Sequence, residues 1–221
     1  MFEGFTPQSN EFLWGIRLNN RRDWFLAHKQ AYQDYVQTPM RQLAEEVYDA
    51  FAVAHEELPL MMRISRIYRD ARRLYGRGPY KSHLWFSLRM AGEHWAEQPV
   101  FWFEIYPEGY AYGLGIYQAL PATMARFRQA VDRDPREMRK LAQAFQAQDR
   151  FRLEAEEYKR PKGRPEPPLD QWYNRKSLDL TCSRPADDLL YSPALVGELT
   201  EAFESLMPYH RYFSALCLRA D

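Results

Sequence analysis

The chain has 221 residues, 30 basic and 30 acidic side chains, no formal net charge, and 46% hydrophobic residues. That hydrophobic fraction excludes global disorder, and the length predicts a single domain spanning residues 1–221 that can bury its own core. Zero net charge argues against a generally basic nucleic-acid binder, although a local basic face stays open. With 15 Tyr, 13 Phe and 6 Trp, a large core plus an amphipathic groove is expected. Cys182 and Cys217 are too few for a disulfide framework or a zinc site, and read as buried thiols of a reducing compartment. The start, Met1 to Pro7, lacks a basic region followed by an apolar core, so no signal peptide is expected. No stretch approaches the ~18 apolar residues of a membrane span. A cytoplasmic protein without membrane partners follows as the expectation.

In chain order, Phe12, Leu13 and Ile16 form a short helical stripe. Asn20 reads as the N-cap of a second helix, with Asp23 in its first turn and Trp24, Phe25, His28, Tyr32 and Tyr35 at helical spacing. Thr38-Pro39 reads as a fresh helix start, carrying Met40, Leu43, Ala44, Val47, Phe51 and Ala54. Alternation then predicts strands over 84–90 and 100–106, with a hairpin turn at Gly109 leading into a strand over 110–118. One face of that last strand carries only Ala111, Gly113 and Gly115, which predicts a close neighbour, and a packed helix is the expected one. Pro121 and Pro135 open two further helices, and 159–168 is a Pro-rich loop. Ser177 to Cys182 reads as a strand, and Ser192-Pro193 opens a last helix with Leu195, Val196, Leu199, Phe203 and Leu206 inward. The order predicts an α+β fold, a mainly antiparallel sheet flanked by helices.

Several chemistries lack their signatures: no Walker loop, nucleophile elbow, complete dinucleotide fingerprint or paired metal motif is present. The five histidines are scattered, so no metal and no cofactor is expected. The salient segment is 63–89, with eight bases (Arg63, Arg66, Arg69, Arg72, Arg73, Arg77, Lys81, Arg89) against Asp70 alone. Compensating acids lie elsewhere: four in 92–110 and five in 187–204, with no base in either. Arginine offers a planar donor fork for phosphate or carboxylate. Asp70 would hold one such fork, and Gly76 and Gly78 would let main-chain N–H groups approach an anion beside Lys81. Asn20 and Arg21 stand at a helix start, where free N–H groups favour an anion. Lys159, Arg160 and Lys162 in the Pro-rich loop would close over such a ligand.

Asn19-Asn20-Arg21-Arg22-Asp23-Trp24-Phe25 with Lys29, Tyr32 and Pro39 resembles the opening pattern of the bacterial and fungal family known as domain of unknown function 2461. Arg66-Ile67-Tyr68-Arg69-Asp70-Ala71-Arg72 followed by Pro79-Tyr80-Lys81-Ser82-His83 resembles its signature segment, and Lys159-Arg160-Pro161-Lys162-Gly163 with Lys176 its later stretch. The resemblance spans essentially the whole chain and implies this size and an intracellular setting, with no activity attached. Arg73-Leu74-Tyr75-Gly76-Arg77 departs from the family's usual Phe, small polar residue, Lys, Asp and Lys, which leaves Asp70 as the only acid there.

The residues themselves support three readings. The first is a site for a phosphate- or carboxylate-bearing small molecule, centred on Arg-Asp-x-Arg. Arg66, Arg69, Arg72, Arg77 and Lys81 would bind its charge, and Asp70, Tyr80 and His83 would be acid–base candidates if the site is enzymatic. The second is a nucleic-acid-binding module, which the neutral total disfavours. The third is a structural or interaction protein whose arginines form an internal ion-pair network. The first is the expected function; oligomeric state is not readable from the sequence.

Overall fold

A computed structural model describes residues 1–217, with Arg73 as main chain only. Helix α1 (Pro7–Leu18) starts with Pro7 in its first turn, and the Thr6 N–H donates to the Ser9 hydroxyl at 3.1 Å. Phe12, Leu13 and Ile16 are all buried along it. In helix α2 (Arg22–Ala27) the N-cap position falls on Arg21, which makes no side-chain capping bond, and not on Asn20. The Asn20 side chain serves a distant strand instead.

Helix α3 (Lys29–Tyr32) leads into a π turn over Gln33–Gln37 and on into α4 (Thr38–Ala54). Helix α4 begins at Thr38 with Pro39 in its first turn, as expected, but it continues the preceding turn, since Thr38 is already helical, with φ −66° and ψ −49°. Proline has no N–H to offer the carbonyl four residues back, and its ring crowds that carbonyl. The wider π turn makes room for the ring. The Tyr35 carbonyl, left without that partner, accepts the Ser9 hydroxyl at 2.6 Å.

One six-stranded antiparallel sheet follows, comprising β1 (Leu60–Ile64), β2 (Leu84–Met90), β3 (Pro99–Tyr106), β4 (Gly109–Ile116), β5 (Arg152–Leu153) and β6 (Asp179–Pro185). Its order is β1-β2-β3-β4-β6-β5, and β5 pairs with β6 through Arg152–Thr181 and Leu153–Leu180. Strand β6 lies two to three residues beyond the expected 177–182. The nearest neighbour of the β4 glycines is a strand, not a helix. A side chain at Gly113 would collide with the Leu180 carbonyl oxygen, and one at Gly115 with the Asp179 carboxylate, so β6 itself is the close neighbour.

The remaining helices are α5 (Pro121–Arg133), α6 (Arg136–Gln146), α7 (Asp170–Tyr173) and α8 (Leu195–Cys217). Contacts cluster into two compact units: 1–88, 102–112 and 183–202 form the first, and the rest the second. In the first, Phe103 stacks with Phe5 and Phe86 at ring separations of 6.1 and 5.6 Å. In the second, Trp172 stacks on Tyr209 and Phe101 packs on Phe203. Each such buried ring removes enough apolar surface to contribute about 2–3 kcal/mol. Among the described residues no helix is long and apolar enough to cross a membrane, and no cluster of His, Cys, Asp and Glu could hold a metal.

Candidate functional site

Six of the eight bases lie in the connection between β1 and β2, which folds back on itself in the first unit. Arg69 N–H donates to Pro79 O at 2.8 Å and Lys81 N–H to Ile67 O at 2.7 Å, with Tyr68 and Tyr80 facing each other between them. The Asn20 carboxamide clamps this ladder from α2's side. Its Nδ2 donates to Tyr80 O, and its Oδ1 accepts the Tyr80 N–H, both at 2.9 Å. Gly78 is a glycine because a β-carbon there would collide with Asn20. Tyr80 is buried, stacked on Phe25 at 4.3 Å and packed beside Tyr68. Burial, and then Tyr68, pushes its hydroxyl pKa up.

The Arg-Asp-x-Arg centre is spent on the loop. Asp70 caps the short turn Ala71–Arg73 through the Arg72 N–H at 3.0 Å, and its carboxylate holds the Arg72 fork at 3.1 and 2.9 Å. Arg69 turns inward, and its Nε donates to Tyr80 O at 2.8 Å. Burial, followed by repulsion from Arg77, lowers its pKa. Arg77 itself is exposed and closes the tip through its N–H to Leu74 O at 2.8 Å. Lys81 lies over the Trp85 ring at 5.7 Å. Burial pushes its pKa down, aided by Arg69 and Arg66 against the pull of Glu104. His83 Nδ1 meets the Glu104 carboxylate at 2.5 Å, which leaves Nε2 as the free ring nitrogen. Arg21 is exposed and lies 3.6 Å from Asp23.

Lys159 and Lys162 belong to the second unit. There the Lys162 ammonium lies over the Tyr158 ring at 4.9 Å, its N–H donates to the Asn174 side chain at 2.7 Å, and Lys159 is exposed.

One predicted ligand-binding residue lines a concave surface. Arg66 borders a groove of about 460 Å³, within the usual range of small-molecule sites. Its other walls are Lys29, Gln33, Gln37 and Arg41 from the helical run 29–54, and Phe25, Tyr32, Ile64, Ser65, Ile67, Tyr68 and Leu84. Among the described residues three cations and no carboxylate line this groove. Among the described residues none of Lys29, Arg41 and Arg66 forms an ion pair. Tyr32 is pushed up to about 12 by burial and then by Tyr68, so its hydroxyl stays a proton donor at any physiological pH. The sequence reading missed Arg41 and gave Lys29 no role. Their signal was present, since Lys29, Gln33, Gln37 and Arg41 repeat every four residues and so share one helical face, while the acid between them, Asp34, falls outside that register.

The comparisons agree with the motif-level resemblance. A family model described as a conserved hypothetical protein, DUF2461, matches residues 8–212. No curated protein matches the chain.

Proposed function

The chain belongs to the DUF2461 family, and we propose that it binds a phosphate- or carboxylate-bearing molecule in the groove between the helical run 29–41 and the chain 64–68. The observation that carries this reading is that Lys29, Arg41 and Arg66 line one concavity with no carboxylate among its described residues. Three cations without an ion-pair partner leave the groove electropositive along its length, and an anionic ligand compensates that charge. Tyr32 and Ser65 add hydrogen-bonding groups, and Phe25, Ile64 and Leu84 exclude water from one wall, which strengthens each charge contact. Relative to the sequence reading, the site moves from the loop tip to Arg66. Arg69 and Arg72 instead hold the loop that carries Arg66. The reading sets the protein in the cytoplasm, where the buried thiols Cys182 and Cys217 stay reduced.

A thermal-shift screen with phosphorylated and carboxylated compounds tests the proposal. A ligand at 100 times its Kd adds about 2.7 kcal/mol, or roughly 5–10 °C for a domain this size. The expected result is a shift that Arg66→Gln and Arg41→Gln both diminish. Shifts of equal size in wild type and both variants would refute the assignment.

A further inference from the structure

The groove is longer than a lone phosphate can use. Lys29, Gln33, Gln37 and Arg41 line it from one continuous helical run. Twelve helical residues rise about 18 Å, so a cation stands near each end with two carboxamides between. The facing wall is the chain 64–68. Because Arg69 N–H goes to Pro79 O and Lys81 N–H to Ile67 O, Tyr68 and Tyr80 form a non-hydrogen-bonded antiparallel pair. A residue in such a pair points its own N–H and C=O away from its partner strand. The N–H groups of Arg66 and Tyr68 accordingly find no partner among the described residues. The segment continues β1, which ends the sheet order, so no strand flanks it on that side.

We infer that the groove receives an extended acidic peptide, added as a strand along Arg66–Tyr68. The inference rests on the anion-binding reading of the same groove and names its ligand. The peptide main chain pairs with the free edge, as in strand addition generally. Gln33 and Gln37 each offer a donor and an acceptor to peptide groups. Two carboxylates four residues apart span about 13 Å at ~3.3 Å per residue. The long side chains of Lys29 and Arg41 close the remaining distance from the two ends. Ile64, Ile67, Leu84 and Phe25 form the apolar wall against which the intervening side chains lie. A free inorganic ion would meet one cation and leave the edge unpaired.

The test is fluorescence anisotropy on the full chain with a fluorescein-labelled, N-acetylated Glu-Val-Thr-Val-Glu amide. Two further probes carry N-methyl groups on the amides of residues 1, 3 and 5, or of residues 2 and 4. Glutarate and inorganic phosphate serve as competitors. The parent peptide is expected to bind, and methylation of one edge should weaken it about tenfold while the other edge tolerates it. Lys29→Gln and Arg41→Gln should each weaken it about threefold. Equal binding of all three peptides, or displacement by equimolar glutarate or phosphate, would overturn the peptide inference and leave the anion site standing. Binding of none of these probes would overturn both.

Discussion

Asn20 shows how one side chain can act as a piece of sheet. Its carboxamide makes both hydrogen bonds that a strand residue would make to Tyr80, and Tyr80 is buried. Asn20→Ala leaves the Tyr80 N–H unsatisfied and Tyr80 O with Arg69 alone, and should cost about 2 kcal/mol in chemical denaturation. Gly78→Ala drives a β-carbon into the same carboxamide and should cost a similar amount. The two changes strike one interaction, so the double variant should lose clearly less than the sum. Additive losses would show that the clamp is not the reason for either residue. As a sequence feature Asn20 reads as a helix cap, because Asn before an acidic first turn is a capping signal. Only the return of the chain at Tyr80 diverts it, and nothing local encodes a contact 60 residues away.

The helical run 29–54 and strand β6 carry the predictions at the scale of elements. In the first, the π turn, Pro39 and Ser9 act together: proline withholds an N–H, and the Ser9 hydroxyl supplies the Tyr35 carbonyl with a donor. Ser9→Ala should destabilise by about 1–2 kcal/mol. In a Pro39→Ala background, where residue 39 regains its N–H, the same change should cost much less, and an unchanged cost would refute the coupling. In β6, Asp179 is half-buried, and burial raises its pKa above the ordinary carboxyl value of 3.8, against a hydrogen bond from Ser177 and with Glu154 adding to the rise. A raised carboxyl pKa means that the folded state binds the proton more tightly than the unfolded state. The charged form therefore destabilises the fold above the folded pKa, and that penalty fades as pH falls toward 3.8 and below. Asp179→Asn should stabilise the protein at pH 7 and gain nothing near pH 3. A gain independent of pH would contradict this. Periodicity made the long helices and strands β2 to β4 readable, because each buries a regular face. It left β1 unread, since five residues, Leu60–Ile64, at the sheet edge show too short a pattern. It misplaced the neighbour of the β4 glycines, because a bare face announces a close approach and not what approaches.

At the scale of the whole molecule, neutrality hides a segregated charge pattern. The sequence showed the density of bases over 63–89 but not their fates. Asp70 and a main-chain carbonyl take Arg72 and Arg69 into the loop, and among the described side chains of that segment Arg66 is the one delivered to the groove. Lys29 and Arg41 join it from a helix that is close only after folding. The most direct measurement is calorimetric titration with pyrophosphate and with glutarate, comparing wild type, the triple variant Lys29→Gln/Arg41→Gln/Arg66→Gln, and Arg72→Gln. The account predicts binding by wild type and Arg72→Gln with similar affinity, weakened at least about tenfold in the triple variant and falling with added salt. Binding that survives in the triple variant, or that is lost in Arg72→Gln while the fold is intact, would contradict the account and return the site to the loop tip.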